Sequence, residues 1–391
     1  MTPIAPIGPE LTDSQRERYA RQIRLPGFGE EGQRRLASSK VLVVGAGGLG
    51  SPALLYLAAA GVGTIGIVDD DVVDLTNLQR QVIHTTAGLG TPKTASAAKA
   101  VRELNPDVEV IEHVCRITED NATEIIAQYD LVLDGTDNFL TRYTVDAACS
   151  ALSVPEIWGS ILRYSAQVSV FWVGENAVDH GVPEPGVCLR DLFAAPPPPG
   201  STPSCGEAGV FGLLCGQAGS IMAGEAIKLL AGTGDPLIGR VLVIDTAGST
   251  YTTVPLTGSS RRPAPLTGAE LAEACTLTPR VATIDVATLK DLVDARSEGT
   301  ATFTLLDVRE DDEWEINRLE GAIHVPLGQV LDDPRAALAS IGPGPIYVYC
   351  LGGVRSLQAA EAIADEGTTA VSVDGGIRQW WLQIDPTMAR Y

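Results

Sequence analysis

Positive charge is scarce in this chain: 28 lysines and arginines stand against 49 aspartates and glutamates, a formal charge of −21. Such a surface repels a phosphate backbone and an anionic bilayer, which argues against nucleic acid or a membrane as partner. Aromatic residues are only 5% of the chain, against 45% hydrophobic and 20% charged. That is the composition of a soluble globular protein rather than of disorder. The seven cysteines are odd in number and none falls in a Cys-x-x-Cys pair, so reduced thiols are expected rather than a disulfide frame. Met1 to Glu10 has no basic stretch followed by an apolar core. No secretion signal is read there, and a cytoplasmic location is expected.

One uncharged run stands out: Val41 to Val68 holds no charged residue. Its glycines at 45, 47, 48, 50, 61, 63 and 66 and Pro52 suit strand, turn, helix and strand better than a membrane span. At 391 residues the chain is long enough for two or three domains, and two is the simpler count. Strand and helix patterns alternate from 40 to 140: Val41 to Val44, a helix from Gly48 to Ala60, Ile65 to Val68, a helix from Lys93 to Leu104, Val108 to Ile111 and Leu131 to Leu133. This alternation predicts an α/β fold with a parallel sheet covered by helices. Composition breaks at Gly258 to Pro265, so residues 258–282 read as a linker between a first domain, 1–257, and a second, 283–391. The second shows strand patterns at Thr304 to Leu306, Ile346 to Tyr349 and Ala370 to Val373.

Two stretches carry chemistry. In the first, Val41 to Val44 feeds Gly45-Ala46-Gly47-Gly48-Leu49-Gly50, where glycines let backbone amides and a helix N-terminus face phosphate oxygens. Asp69 closes the next strand, where an acid accepts hydrogen bonds from a ribose. These features fit NAD as well as ATP. The residues that follow favour ATP: Arg80 and Lys93 supply the cations that adenylyl transfer needs and hydride transfer does not. Asp137, in Asp134-Gly135-Thr136-Asp137-Asn138, is a candidate magnesium ligand. In the second stretch, Ile346 to Tyr349 feeds Cys350-Leu351-Gly352-Gly353-Val354-Arg355-Ser356. A cysteine between a strand and a helix can hold an anion on its sulfur by inward-facing amides. Four residues separate Cys350 from Arg355, a smaller cradle than the five of cysteine phosphatases, and it favours a persulfide.

Arg18-Tyr19-Ala20-Arg21-Gln22-Ile23, the glycine loop, Asn77-Leu78-Gln79-Arg80-Gln81 and the Asp134 to Asn138 stretch together resemble the MoeB/ThiF family, bacterial relatives of ubiquitin-activating enzymes, over residues 11 to 257. The resemblance implies a Rossmann-like adenylation domain that uses ATP and Mg2+ on the C-terminal Gly-Gly carboxylate of a ubiquitin-like sulfur carrier of the MoaD/ThiS type. It further implies that Gly45, Gly47, Gly48, Gly50, Asp69, Asn77, Arg80, Lys93, Asp137 and Asn138 bind the nucleotide, with Asp137 on magnesium. Arg21 would reach the neighbouring subunit's triphosphate, which implies a homodimer. Many relatives bind structural zinc through two Cys-x-x-Cys pairs. Here Pro185 and Cys188 replace the first and residues 255–268 hold no cysteine, so no structural zinc is expected.

Cys205 lies where some relatives form an acyl link with the carrier; catalytic and incidental roles are both open. Cys115, Cys149 and Cys215 are expected as inert core thiols. Residues 283 to 386 resemble the rhodanese family through Asp307-Val308-Arg309-Glu310, Glu320 to Pro326 and Asp374 to Trp380. That implies Cys350 and Arg355 as the sulfur-transfer pair, with Asp307, Arg309 and His324 as frame. Leu351 stands where relatives often carry a basic residue, which weakens attraction for thiosulfate and leaves a cysteine-desulfurase persulfide as an alternative donor. Joined, the modules resemble the MoeB-rhodanese sulfurtransferases. An NAD-dependent oxidoreductase with a redox-sensing cysteine domain and a non-catalytic docking scaffold are the competing readings.

Overall fold

The structure, a computed structural model, describes residues 2–197, 208–262, 264–275, 279–339 and 344–391. The described residues form two compact units that divide after Cys275.

The first unit is built on an eight-stranded sheet: β1 (Lys40–Val44), β2 (Thr64–Val68), β3 (Glu109–His113), β4 (Leu131–Asp134), β5 (Glu156–Leu162), β6 (Ser165–Phe171), β7 (Arg240–Asp245) and β8 (Thr250–Pro255). Their spatial order is β3-β2-β1-β4-β5-β6-β7-β8. β1 to β5 pair in parallel and β6 to β8 extend the sheet antiparallel. The chain starts in the middle at β1, winds outward to β3, then returns to lay β4 on the other side of β1. That reversal opens a crevice beyond the carboxyl ends of β1 and β4, where ligands of such sheets bind.

The uncharged run resolves as strand, loop, helix (Gly50–Ala60) and strand. Pro52 sits in the helix's first turn, where the missing N–H has no intrahelical partner to lose. Gly61 ends the helix in a left-handed conformation at φ 82°, which only glycine adopts without strain. Its neighbour is the 20-residue helix Gly212–Ala231. The two approach so closely that a Cβ on Gly219 would stand 2.2 Å from the Leu49 carbonyl oxygen. Leu54, Leu57, Leu214, Ala218, Met222 and Leu229 fill this interface, each large side chain contributing about 1.5–3 kcal/mol through burial. Among the described residues no helix is long and apolar enough to cross a membrane.

Most of the segment expected as a linker is packed on this unit instead. Residues Gly268–Cys275 form a helix, and Leu271 is buried with Tyr143, Trp158, Phe171, Val187 and Leu189. Arg262 donates to both carboxylate oxygens of Asp191, from Nε at 2.8 and 3.0 Å, and Ser259 N donates to Asp191 Oδ1 at 2.9 Å. Asp191 also accepts from Cys188 N at 2.9 Å. A partly buried ion pair thus joins the two segments that carry the zinc thiolates in the relatives described above. The composition break at 258 is real, but polar anchoring at Ser259 and Arg262 and apolar burial of Leu271 hold the chain to this unit.

The second unit is a five-stranded, all-parallel sheet: β9 (Ala282–Ile284), β10 (Thr304–Asp307), β11 (Ala322–His324), β12 (Ile346–Tyr349) and β13 (Ala370–Val373), in the order β11-β10-β12-β13-β9. β12 is central and feeds Cys350 directly, which places the sulfur at the carboxyl edge of the sheet.

Candidate active sites

In the first unit the crevice between β1 and β4 is a cleft of about 210 Å3 lined by Gly45, Gly47, Gly48, Asp69, Arg80, Lys93, Asp137 and Asn138, among others. Gly45 has φ 90°, and a Cβ there would stand 3.3 Å from Gly135 O. A Cβ on Gly50 would stand 1.9 Å from Gly45 O, whereas one on Gly47 would meet, among the described residues, only Gln81 Nε2, at 3.7 Å. Gly45 and Gly50 therefore fold the loop, and Gly47 keeps a surface open.

Asp69 is tied into this loop, its Oδ2 accepting from Ala46 N and its Oδ1 from Asp71 N, both at 2.9 Å. Burial pushes its carboxyl up, with Lys93 and the amide bonds pulling against the shift. Lys93 is itself buried and pairs with Asp71 at 2.8 Å. Asn77 accepts from Arg80 Nη2 at 3.0 Å and from Gln81 Nε2 at 3.3 Å, so it acts on the cleft through Arg80. Asn138 lines the cleft and caps the helix Phe139–Leu152, accepting from Thr141 N at 2.8 Å. Asp137 beside it is exposed. Neither Gly50, Asn77 nor Arg21 is among the lining residues, and Arg21 is exposed on the short helix Ala20–Ile23. Cys205 lies outside the described residues.

Several residues of this site carried no sequence signal. Arg116 and Arg142 join Arg80 and Lys93 in the lining, so four cations gather in a strongly acidic chain. Arg142 donates to Thr136 O from Nη2 at 2.7 Å and Nε at 3.1 Å, and Asp134 accepts from Thr136 N at 2.9 Å. Together they fix the loop bearing Asp137. His84 Nε2 lies 2.9 Å from Ala46 O and its Nδ1 lies 2.9 Å from Ser96 Oγ. Because a carbonyl only accepts, Nε2 carries the proton and Nδ1 accepts from the serine. Cys115 and Cys215 also line the cleft, and Cys115 is half-buried. Cys215 is nonetheless buried, in keeping with the core thiol expected there, and Cys115 packs at the edge of the apolar cluster that holds Cys149; burial raises the Cys149 thiol well above the usual range.

In the second unit Cys350 is fully buried at the end of β12. Its Sγ accepts from Gly353 N at 3.0 Å and lies 3.6 Å from Ser356 Oγ. Gly353 has φ 106°, the conformation that turns its amide inward. Arg355, expected beside the sulfur as a cradle cation, instead directs Nη1 and Nη2 to Glu313 at 2.5 and 2.8 Å. Asp307 and Arg309 form a buried bidentate pair, Nη2 to Oδ2 at 2.6 Å and Nε to Oδ1 at 3.0 Å. His324 stacks on Trp314 with centroids 4.7 Å apart and places Nε2 2.8 Å from Arg309 O. These three form a frame away from the sulfur.

A glycine-lined cleft with four cations at the switch point of one α/β sheet and a cysteine whose sulfur accepts a backbone amide at the edge of another are the features of a nucleotide-using enzyme joined to a sulfur-handling domain. Residues 19–264 match the ThiF family and residues 287–383 match the rhodanese-like domain. The chain belongs to the ThiF family, with a rhodanese-like domain following, and is an adenylyltransferase and sulfurtransferase. It is 42% identical over 407 positions to a probable adenylyltransferase/sulfurtransferase MoeZ of Mycobacterium tuberculosis, covering 100% of this chain and 99% of that protein. It is 35% identical to adenylyltransferase and sulfurtransferase MOCS3 of Aedes aegypti, covering 98% of this chain and 90% of the relative. A sulfur carrier protein adenylyltransferase of Thermus thermophilus is 49% identical over 61% of this chain and 87% of its own length. Among solved structures, E. coli MccB with MccA-N7isoASN superposes with a TM-score of 0.55 at 19% identity, covering 63% of this chain and 74% of that one; that likeness is one of fold.

Proposed function

We propose that this protein adenylates the C-terminal Gly-Gly carboxylate of a ubiquitin-like sulfur carrier with ATP and then passes it sulfur from a Cys350 persulfide, leaving a thiocarboxylate. The observation that carries this reading is the four-cation cleft and the amide-lined cysteine held in one chain, together with full-length likeness to enzymes named for both activities. The named substrate of the Thermus relative supplies the carrier.

The carrier carboxylate attacks the α-phosphorus; the new O–P bond forms as the bond to pyrophosphate breaks. Arg80 and Lys93, with Arg21 from a second subunit of a homodimer, spread the charge that develops on the leaving group. Asp69 faces the ribose hydroxyls. Asp137 is an exposed carboxylate at the cleft, and among the described residues the buried Asp134 Oδ2 beside its loop has no hydrogen-bond partner. This oxygen-donor set fits Mg2+. Asp137 would hold the ion, which neutralises phosphate charge when bound.

Cys350 is loaded by thiosulfate or by the persulfide of a cysteine desulfurase. Its terminal sulfur attacks the acyl carbon and expels AMP, giving an acyl disulfide. A second thiol, here assigned to Cys205, attacks the Cys350 sulfur and releases the thiocarboxylate. The resulting protein disulfide is reduced by an external thiol.

The test is the intact mass of a Gly-Gly carrier after incubation with this protein, Mg·ATP and a sulfur donor. The carboxylate-to-thiocarboxylate shift is expected to need both ATP and Cys350. A shift that survives Cys350→Ala would sink the sulfur-transfer half, and NAD-dependent chemistry without any ATP requirement would sink the whole reading.

A further inference from the structure

Arg355 is the loop's own cation, yet its charge is already used. Glu313, on the helix Asp311–Ile316, binds both of its terminal nitrogens. The same carboxylate accepts from Tyr391 Oη at 2.9 Å and from Glu310 N at 3.0 Å. Burial alone would push the Glu313 carboxyl up, but the Arg355 bonds, the Glu310 amide and Tyr391 outweigh it and hold it below the ordinary value. It is therefore ionised at neutral pH. Tyr391 in turn accepts from Arg309 Nη1 at 2.7 Å, and Arg309 is matched by Asp307.

At the rim, Asp374 Oδ1 lies 3.4 Å from the point a Cβ on Gly353 would occupy, and Arg378 is exposed on the helix Gly376–Gln383. Among the described residues, the groups that reach Cys350 Sγ itself are an amide and a hydroxyl. The loop thus meets sulfur with neutral dipoles, and its own guanidinium, that of Arg355, is cancelled by Glu313.

We infer that Glu313 sets the class of sulfur donor: by cancelling Arg355 it leaves a cradle suited to the single charge of an organic persulfide and poorly suited to a free dianion such as thiosulfate. This rests on Cys350 being the sulfur carrier of the proposed function. With a persulfide donor the Cys350 thiolate attacks the outer sulfur, the donor's S–S bond breaks and the donor leaves as a thiolate; Cys350 becomes a persulfide anion. With thiosulfate the same attack expels sulfite. Total charge is conserved in both, but the second brings a dianion to a loop without net positive charge. Glu313 touches no reacting atom and is a positioning residue that fixes the loop's charge.

The experiment uses the full chain and measures loading of Cys350 from thiosulfate and from cysteine persulfide, whose anion has a net charge of about −1, with transfer to cyanide as readout. Wild type is expected to have a lower kcat/KM for thiosulfate than for cysteine persulfide. Glu313→Gln is expected to raise the thiosulfate-to-persulfide ratio of kcat/KM about tenfold, the effect of one charge a few ångströms away in a partly buried site. Glu313→Asp, which keeps the charge, is expected to retain the wild-type ratio. A wild type that prefers thiosulfate, a comparison that needs no variant, or a ratio unmoved in a folded Glu313→Gln, overturns the inference. Failure of wild type to load from either donor overturns the proposed role of Cys350 instead.

Discussion

His84 shows how a single side chain can hold a nucleotide loop without touching the nucleotide. It stands 38 residues from the carbonyl it binds, and it fixes Ala46 between two glycines that give the loop its shape. Burial is the largest influence on the ring and lowers its pKa, with Lys93 adding to the shift and the Ala46 bond opposing it. A histidine whose folded pKa lies below its unfolded value stabilises the fold above the unfolded value, near pH 6.5, and loses that contribution as pH falls through the folded one. The Tm of wild type is therefore expected to drop between pH 7 and pH 5 by more than that of His84→Gln. At pH 7.5 His84→Ala leaves the Ala46 carbonyl without its donor, a loss of about 1 kcal/mol. It is expected to raise KM for ATP several-fold in pyrophosphate exchange. An unchanged KM would reduce His84 to a packing residue.

Single elements separate the two jobs done by glycine in the loop Gly45 to Gly50. An alanine methyl at Gly50 would overlap Gly45 O at 1.9 Å, and backbone cannot retreat as a side chain can. Gly50→Ala is expected to abolish folding of the first unit, read as loss of its cooperative melting transition. Gly47→Ala, with 3.7 Å to its nearest neighbour, is expected to change stability by less than about 1 kcal/mol while sharply lowering pyrophosphate exchange. Equal damage to stability from both variants would contradict this division.

Within β5, Glu156 is fully buried, and among the described residues neither carboxylate oxygen has a hydrogen-bond partner. Burial, then the charges of Asp146 and Asp134, push it well up against the pull of Arg142. Its contribution to stability is present below the unfolded pKa and lost as pH rises through the folded one. Glu156→Gln is expected to match wild type in Tm near pH 4 and to exceed it at pH 8. A constant difference across that range would mean that Glu156 is not titrating there.

Elements buried on both faces were legible because a parallel strand covered by helices reads as an unbroken apolar run. β1, β2, β4, β12 and β13 accordingly fall where the runs fall. β8 is exposed at every position and left no such trace. Loop chemistry at Gly45 and Cys350 was legible because backbone geometry needs glycine locally. Its supports were not: Glu313 meets Arg355 across 42 residues and Tyr391 across 78, and no local pattern marks such partners. The docking of Arg262 onto Asp191, 71 residues apart, escaped for the same reason, and so the boundary was read too early.

At the scale of the whole molecule, Arg21 poses the remaining question. It is exposed on a short four-residue helix, outside the lining of its own subunit's cleft. An arginine so placed serves the chemistry only if a second subunit brings it to a neighbouring site, which is the arrangement the proposed homodimer requires. Arg21→Ala and Lys93→Ala are each expected to lose pyrophosphate exchange, because each removes one cation from every site. A mixed dimer of the two variants has one site with both cations missing and one site with both intact. Co-refolding equal amounts, so that subunits exchange at random, is therefore expected to restore about a quarter of wild-type sites. If Arg21 serves its own subunit, every site in the mixture lacks one cation and no activity returns. Recovery close to a quarter, lost on diluting the mixture below the dimer's dissociation constant, would place Arg21 in the partner's site and make the dimer the unit of catalysis.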